Sequence, residues 1–489
     1  MRRRAGLCLL LTWLTLSAAF SFAAPPIDTI GYLVTNDDYG QGESNSSTFF
    51  TIGSNGALSN PTVVDLDGAG IGGGYFAANR VSSLNTPASP CVYLSQGSTN
   101  TIAGVQVSTQ TLVGDFSASD IDNGADNGIG MVMNSDYLYA SFSTSSTIAT
   151  FAIQPGCALQ FLSDISPSGL NGGAPKGMAL SGNLLVVTYG DGSIESFNTS
   201  SGLPVSNGDE QNATGYASDD FPDGIVITPD GHYAIFGDDA SGAAIEVSDI
   251  SSGQLTSTIL YNLPAGLNSN NVLLSPDGTL LYVSNNTSGQ VSAAFFDPAS
   301  GTVSGSCTSP PLKGFNSAYS FVATLAIAGP GSAGSVLYVA EFGQPSAIGV
   351  IDVSASGGQC TLKEASGSPV SSSSDSLLSI AVVSTLPLGL YSPTPGSTLS
   401  SSRVTFEWDG PATATAFKLA VGSSAGGSQY YQSGSLSPTS TSATVSMLPS
   451  DDSTVYVTLS WLINSSWVVN SYTYTAGDVR QHIGFGSRR

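Results

Sequence analysis

A duplicated segment constrains this chain more than any other feature. Gly224-Ile225-Val226-Ile227-Thr228-Pro229-Asp230-Gly231 is matched by Asn271-Val272-Leu273-Leu274-Ser275-Pro276-Asp277-Gly278. A second apolar run follows each copy, Tyr233-Ala234-Ile235-Phe236 and Leu280-Leu281-Tyr282-Val283-Ser284-Asn285. Pro-Asp-Gly between two such runs is a hairpin turn. Proline presets φ, the aspartate caps its own turn, and glycine takes φ > 0. A third run then appears, Ala243-Ala244-Ile245-Glu246-Val247 and Gln290-Val291-Ser292-Ala293-Ala294-Phe295-Phe296, and a fourth follows another turn.

The same four-strand unit recurs in weaker form. Gly177-Met178-Ala179-Leu180 precedes Leu184-Leu185-Val186-Val187-Thr188, and Gly128-Ile129-Gly130-Met131-Val132 precedes Tyr137-Leu138-Tyr139-Ala140-Ser141. Val322-Ala323-Thr324-Leu325-Ala326 precedes Val336-Leu337-Tyr338-Val339-Ala340, and a poorer copy runs from Gly74 to Ser117. Four strands at a spacing of about 46–55 residues indicate the blades of a β-propeller. Six complete blades fit between Gly72 and Val370. The ends supply a seventh: three strands near Tyr32, Phe49 and Val63 lack an innermost partner, and Leu377–Val383 is a lone strand. Pairing them closes the ring and protects its edges. The fold class is therefore all-β, a seven-bladed propeller over 27–384.

Ser275-Pro276-Asp277-Gly278-Thr279-Leu280-Leu281-Tyr282-Val283-Ser284-Asn285, Asp297-Pro298-Ala299-Ser300-Gly301-Thr302-Val303 and Tyr32-Leu33-Val34-Thr35-Asn36 carry a further likeness. Here the chain resembles the lactonase-like propellers, which include bacterial 6-phosphogluconolactonase-like and YVTN-repeat proteins. The resemblance implies the fold and, for an active member, a lactonase-type hydrolase with an acid-base group and cations near the channel. Those cations and a cytoplasmic setting, both expected for a sugar-phosphate substrate, are missing here.

Met1–Arg4 are followed by an apolar stretch, Leu7–Phe22, and a small-x-small site at Ser21-Phe22-Ala23. That is the layout of a signal peptide over 1–23. It predicts a secreted, periplasmic or cell-surface protein without a transmembrane anchor after cleavage. Export permits disulfides among Cys91, Cys157, Cys307 and Cys360, with the pairing open. With 12 Lys+Arg against 35 Asp+Glu, the formal net charge is −23. Such a surface does not bind nucleic acid and repels anionic ligands.

After Ser384 the composition changes. A proline-containing linker is read at 385–392. An immunoglobulin- or fibronectin-like β-sandwich is read at 393–476, with Trp408 as its core tryptophan. Trp461 and Trp467 are read as packed inside or at the interface, with a sugar-binding face as the alternative. A disordered basic tail is read at 477–489.

The search for chemistry starts from two histidines. His232 sits in a hairpin turn, where side chains face water, and His482 lies in the tail. Serines have no histidine beside them. Adjacent acids such as Asp37-Asp38, Asp219-Asp220, Asp238-Asp239 and Asp451-Asp452 read as solvated turn formers. Asp120, Asp122 and Asp126 alternate as in a calcium loop, and Ca2+ is the one cofactor considered. Aligning the units puts Asn127, Lys176, Asp223, Asn270, Tyr319 and Asp375 before innermost strands. Asp37, Arg80, Asp238, Asn286 and Glu341 fall in loops after second strands. Of these, Arg80, Asn127, Lys176, Asp223, Asn270, Glu341 and Asp375 form the expected ligand-binding mouth. No catalytic residue is assigned.

The sequence favours a monomeric, non-enzymatic protein that binds a neutral small molecule, a glycan or a surface protein. The alternative is a hydrolase of a neutral lactone or ester at the channel mouth. The two readings differ in one observable. An enzyme should bring two carboxylates, or a carboxylate with Lys176 or Arg80, together within a pocket with shifted pKa values.

Overall fold

The computed structural model describes residues 29–477, apart from 40–43, 54, 73–78, 85–90, 119–126, 213–223, 229, 239–243, 257, 264–268, 276–277, 286–287, 316–320, 329–335, 344, 373, 375, 385–388, 394, 411–413, 438–439 and 464–465. The leader and the basic tail read from sequence lie outside these residues.

Both copies of the duplicated turn form as their side chains dictate. Thr228 Oγ1 donates to Asp230 Oδ1 at 2.6 Å, which in turn accepts the His232 N–H, and Gly231 takes φ 74°. In the second copy the Leu280 N–H donates to Ser275 Oγ at 2.9 Å, and Gly278 takes φ 69°. The flanking apolar runs pair as strands, Ile225–Ile227 with Tyr233–Asp238 and Ser269–Leu274 with Leu280–Asn285.

Seven antiparallel sheets follow from repeating this plan. Sheet one combines the two ends of the repeat region, in the order Leu58–Asp65, Ser46–Gly53, Thr29–Asn36, Ser379–Ser384. Its last pair runs in register from Gly31 opposite Ser384 to Asn36 opposite Ser379. Sheets two to seven begin with Val81–Leu84, Ile129–Met133, Pro175–Ser181, Ile225–Ile227, Ser269–Leu274 and Phe321–Ala328. Each first strand lies against the next, Phe321–Ala328 against Ser379–Ser384, and Ser379–Ser384 against Val81–Leu84.

The core lies between sheets. Val34, Val92, Leu94 and Val105 pack between sheets one and two; Leu33, Phe50, Tyr338 and Ile348 pack between sheets seven and one. Tyrosines of second strands reach across these seams. Tyr139 Oη donates to the Gly202 carbonyl of sheet four at 3.0 Å, and Tyr338 Oη donates to the Gly56 carbonyl of sheet one at 2.8 Å. Gly56 has φ +77°, and a Cβ there would collide with Val336. The turn can approach sheet seven only because residue 56 has no side chain.

The disulfides are Cys91–Cys157 and Cys307–Cys360. The first joins sheets two and three. The second joins the outer strands Thr302–Thr308 and Gln359–Glu364 of sheets six and seven.

Two more sheets follow. One holds Gly389–Ser392, Val404–Asp409 and Ser442–Val445; the other holds Tyr431–Gln432, Ala416–Gly422, Thr454–Ile463 and Ser466–Thr475. They share a core containing Phe406, Trp408, Phe417, Leu419 and Trp461. The stretch read as a linker thus contains a strand, Gly389–Ser392, whose Leu390 is buried in that core. Trp467 departs from the packed reading: it is 37% exposed, with Lys418 Nζ 3.8 Å from its ring centroid. No helix of the described residues is long and apolar enough to cross a membrane.

Candidate functional site

The strand Thr29–Asn36 ends in a run of polar residues that turns inward. Asp37 Oδ1 accepts Thr35 Oγ1 at 2.6 Å, and its Oδ2 accepts Ser46 Oγ at 2.6 Å and Thr48 Oγ1 at 3.1 Å. Even so, burial pushes the Asp37 carboxyl above its ordinary range. Asp38 is fully buried in the left-handed region, φ 51°, which short polar side chains tolerate. Its Oδ1 accepts the Ile71 N–H at 3.2 Å, and its Oδ2 pairs with Arg80 Nη1.

Arg80 immediately precedes the first strand of sheet two and is 1% exposed. Its Nε and Nη2 have no partner among the described residues. The Asp38 carboxyl is pushed up to about 6 because burial outweighs the Arg80 charge. Around this pair the seams are braced. Asn36 Nδ2 donates to the Ser95 carbonyl of sheet two at 2.9 Å, Asn45 Nδ2 donates to Asn36 Oδ1 at 2.9 Å, and Ser374 Oγ donates to the Asp37 carbonyl.

Asp37 and Asp38 are therefore not solvated turn formers, which corrects the expectation from sequence. Loop polarity alone does not reveal that Arg80 returns to cover them. Asp451 and Asp452 are exposed, as expected of such pairs.

Glu341 is the second buried carboxylate. It lies near the end of Val336–Phe342, the second strand of sheet seven, and is 1% exposed. Neither of its oxygens has a partner among the described residues. Gly314 and Gly349 flank it so closely that a Cβ at either would collide with the carboxylate. Burial pushes Glu341 up to about 7, and the nearby Glu364 adds to the shift. Glu364 was not expected from sequence. Its Oε2 accepts the Lys313 N–H at 3.2 Å and lies 3.6 Å from Lys313 Nζ, while its Oε1 is buried without a partner. A cleft of about 260 Å³ opens beside it, lined by Pro310, Leu312, Lys313, Leu362 and Glu364 among others.

Asn127 does not join either group. It is a buried bracket: its Nδ2 donates to Asn100 Oδ1 at 2.8 Å and to Ser145 Oγ at 3.1 Å, and its Oδ1 accepts the Ser145 N–H at 2.8 Å. Lys176 lies half-buried on the first strand of sheet four. Asn270 lies on the strand Ser269–Leu274. Asp223, Tyr319, Asp375, Asn286 and the calcium candidates Asp120, Asp122 and Asp126 lie outside the described residues, as do Asp219, Asp220 and Asp239. Among the described residues no three His, Cys, Asp or Glu side chains gather as a metal site. His232 is exposed, with Nδ1 3.3 Å from Asp230.

Residues 131–369 match the family described as Lactonase, 7-bladed beta-propeller. No curated protein matches the chain. Among solved structures it is similar to the periplasmic gluconolactonase of Pseudomonas aeruginosa, at 16% identity and TM-score 0.54, covering 73% of this chain and 99% of that one. A Bacteroides fragilis protein proposed to be a 6-phosphogluconolactonase gives 16% identity and TM-score 0.51, with coverages of 72% and 98%. A functionally unknown protein from Desulfotomaculum acetoxidans gives 15% and 0.52, with coverages of 72% and 99%. At these identities the structural likeness is one of fold. Together with the family match it supports a lactonase-like propeller.

Proposed function

We propose that this lactonase-like propeller is exported and hydrolyses a neutral lactone or related ester at the mouth of its channel. One observation carries the reading: Asp37, Asp38 and Arg80 converge, and Asp38 titrates near 6 beside a guanidinium with two unpaired nitrogens. Convergence with a shifted pKa supports an enzyme over a plain binding mouth.

In the proposed step Arg80 Nε and Nη2 donate to the substrate carbonyl oxygen and stabilise its developing charge. Asp38, ionised above its pKa, takes a proton from water as the water oxygen attacks the carbonyl carbon. The ring C–O bond then breaks, and the leaving oxygen takes the proton back. The product is a hydroxy acid whose carboxyl proton passes to solvent, and a chain of net charge −23 repels the resulting anion. The same charge disfavours a sugar phosphate as substrate. On this reading the pairing of Ser379–Ser384 with Thr29–Asn36 closes the seven-bladed ring. Residues 393–476 act as a separate sandwich spacer.

Turnover of glucono-δ-lactone by the full chain tests the proposal. Asp38→Asn and Arg80→Gln should each lower kcat/KM by about 100-fold or more with the fold unchanged. The burial of both groups favours a second reading, binding without catalysis. In that case the lactone raises Tm, and wild type shows no turnover above buffer.

A further inference from the structure

Three buried carboxylate oxygens at the seam between sheets six and seven have no hydrogen-bond partner among the described residues: Glu341 Oε1, Glu341 Oε2 and Glu364 Oε1. A lone proton does not solve this. A proton shared between Glu341 and Glu364 would satisfy at most two of these three oxygens and leave the third bare. Each such group costs about 1–3 kcal/mol. A second carboxylate beside the first makes the arrangement worse unless positive charge lies between them.

The surroundings hold both side chains in place. Gly314 and Gly349 lie so close that a Cβ at either would collide with the Glu341 carboxylate. Glu364 accepts the N–H of Lys313, the residue before Gly314, so both acids flank one short stretch of chain. The disulfide Cys307–Cys360 pins the two outer strands that lead into it. The adjoining cleft reaches this stretch from solvent. Lys313 Nζ is 59% exposed, lies 3.6 Å from Glu364 Oε2 and also donates to the Ser368 carbonyl at 3.4 Å.

We propose that Glu341 and Glu364 bind a calcium ion at the seam between sheets six and seven, with water completing its shell. Calcium takes six to eight oxygen ligands at flexible geometry, which suits two carboxylates beside a cleft open to solvent. The site is independent of Asp38 and Arg80 and of the expected loop at Asp120.

Calorimetric titration of the EDTA-stripped full chain with CaCl2 tests it, alongside thermal unfolding in EDTA and in about 10 mM CaCl2. The expected result is one site with Kd of about 10⁻⁴–10⁻³ M and a rise in Tm of about 2–4 °C. Glu341→Gln should abolish both, Glu364→Gln should weaken binding by about tenfold or more, and Asp38→Asn should leave both intact. No heat and no shift in wild type overturns the proposal. So does a calcium response that survives in Glu341→Gln, or in Glu364→Gln should the first variant not fold. A response lost in Asp38→Asn but kept in Glu341→Gln would move the ion to the proposed lactone site.

Discussion

Asp38 and Glu341 occupy related places, one just past the second strand of sheet one and the other near the end of the second strand of sheet seven, yet their surroundings differ sharply. Asp38 is given Arg80 and the Ile71 N–H. Glu341 is given two glycines and another acid. The seams differ in the same way. Sheets one and two are tied by polar side chains reaching backbone across the gap. Sheets six and seven are tied by a disulfide. A buried charge with a fixed counter-ion needs no ligand to be tolerated, whereas one without it needs something absent from the chain itself. That contrast separates an ion pair that is tolerated without its substrate from a carboxylate that is not tolerated alone.

Arg80→Met should make the first acid resemble the second. Removing one partner of a buried ion pair costs about 3–5 kcal/mol. The loss should be smaller at pH 5 than at pH 8, because an abandoned Asp38 takes up a proton. Urea unfolding at the two pH values measures both quantities. A loss below about 1 kcal/mol at pH 8 would mean that the pair is no tighter than a surface bridge.

Replacing Cys307 and Cys360 together by alanine attacks the other seam. Its closed loop spans 53 residues, and loss of such a bridge costs about 2–4 kcal/mol. If the calcium inference is right, the variant should also bind calcium more weakly. Titration of the double variant decides whether the disulfide pre-organises Glu364.

The pH dependence of stability follows from Asp38. Its folded-state pKa of about 6 lies above the ordinary 3.8. The proton is therefore held more tightly by the folded chain. The resulting stability is fully present below about pH 3.8 and is lost as pH rises through about 6, by up to about 3 kcal/mol. Asp37 shifts in the same direction. Asp191, held low by hydrogen bonds from Ser193, Asn171 and Gly173, works in the opposite sense. Asp38→Asn should flatten the profile between pH 4 and 6 in denaturant melts. An unchanged profile would assign it to other groups.

Much of this was legible in the sequence, because strands and turns are local. Pro-Asp-Gly between apolar runs announces a hairpin wherever it lands, and the spacing of the copies announces a blade. Glu341 was legible by its position after a repeat's second strand. What the sequence concealed depends on which blades become neighbours. Asp37-Asp38 looks like any acidic turn until Arg80, 42 residues beyond Asp38, folds back over it. Glu364 lies on an outer strand that no alignment of innermost strands would inspect. The disulfide pairing stayed open because four cysteines in four different blades allow three pairings. Asn127 has the composition of a ligand-binding residue, and only the structure reveals that Asn100 and Ser145 engage its amide.

The smallest expected effect tests the seam in which polar side chains provide the bracing. Asn36 Nδ2 donates to the Ser95 carbonyl, and Asn36 Oδ1 accepts from Asn45. Asn36→Ala removes both bonds and leaves the Asn45 amide and the Ser95 carbonyl with less satisfaction in a buried place. A loss of about 1–2 kcal/mol follows. Asn45→Ala should cost less in the Asn36→Ala background than in wild type, because the bond between them is already gone. Additive losses would show that Asn36 and Asn45 act separately, and the first seam would then be held chiefly by Val34, Val92 and Leu94, as any apolar interface is.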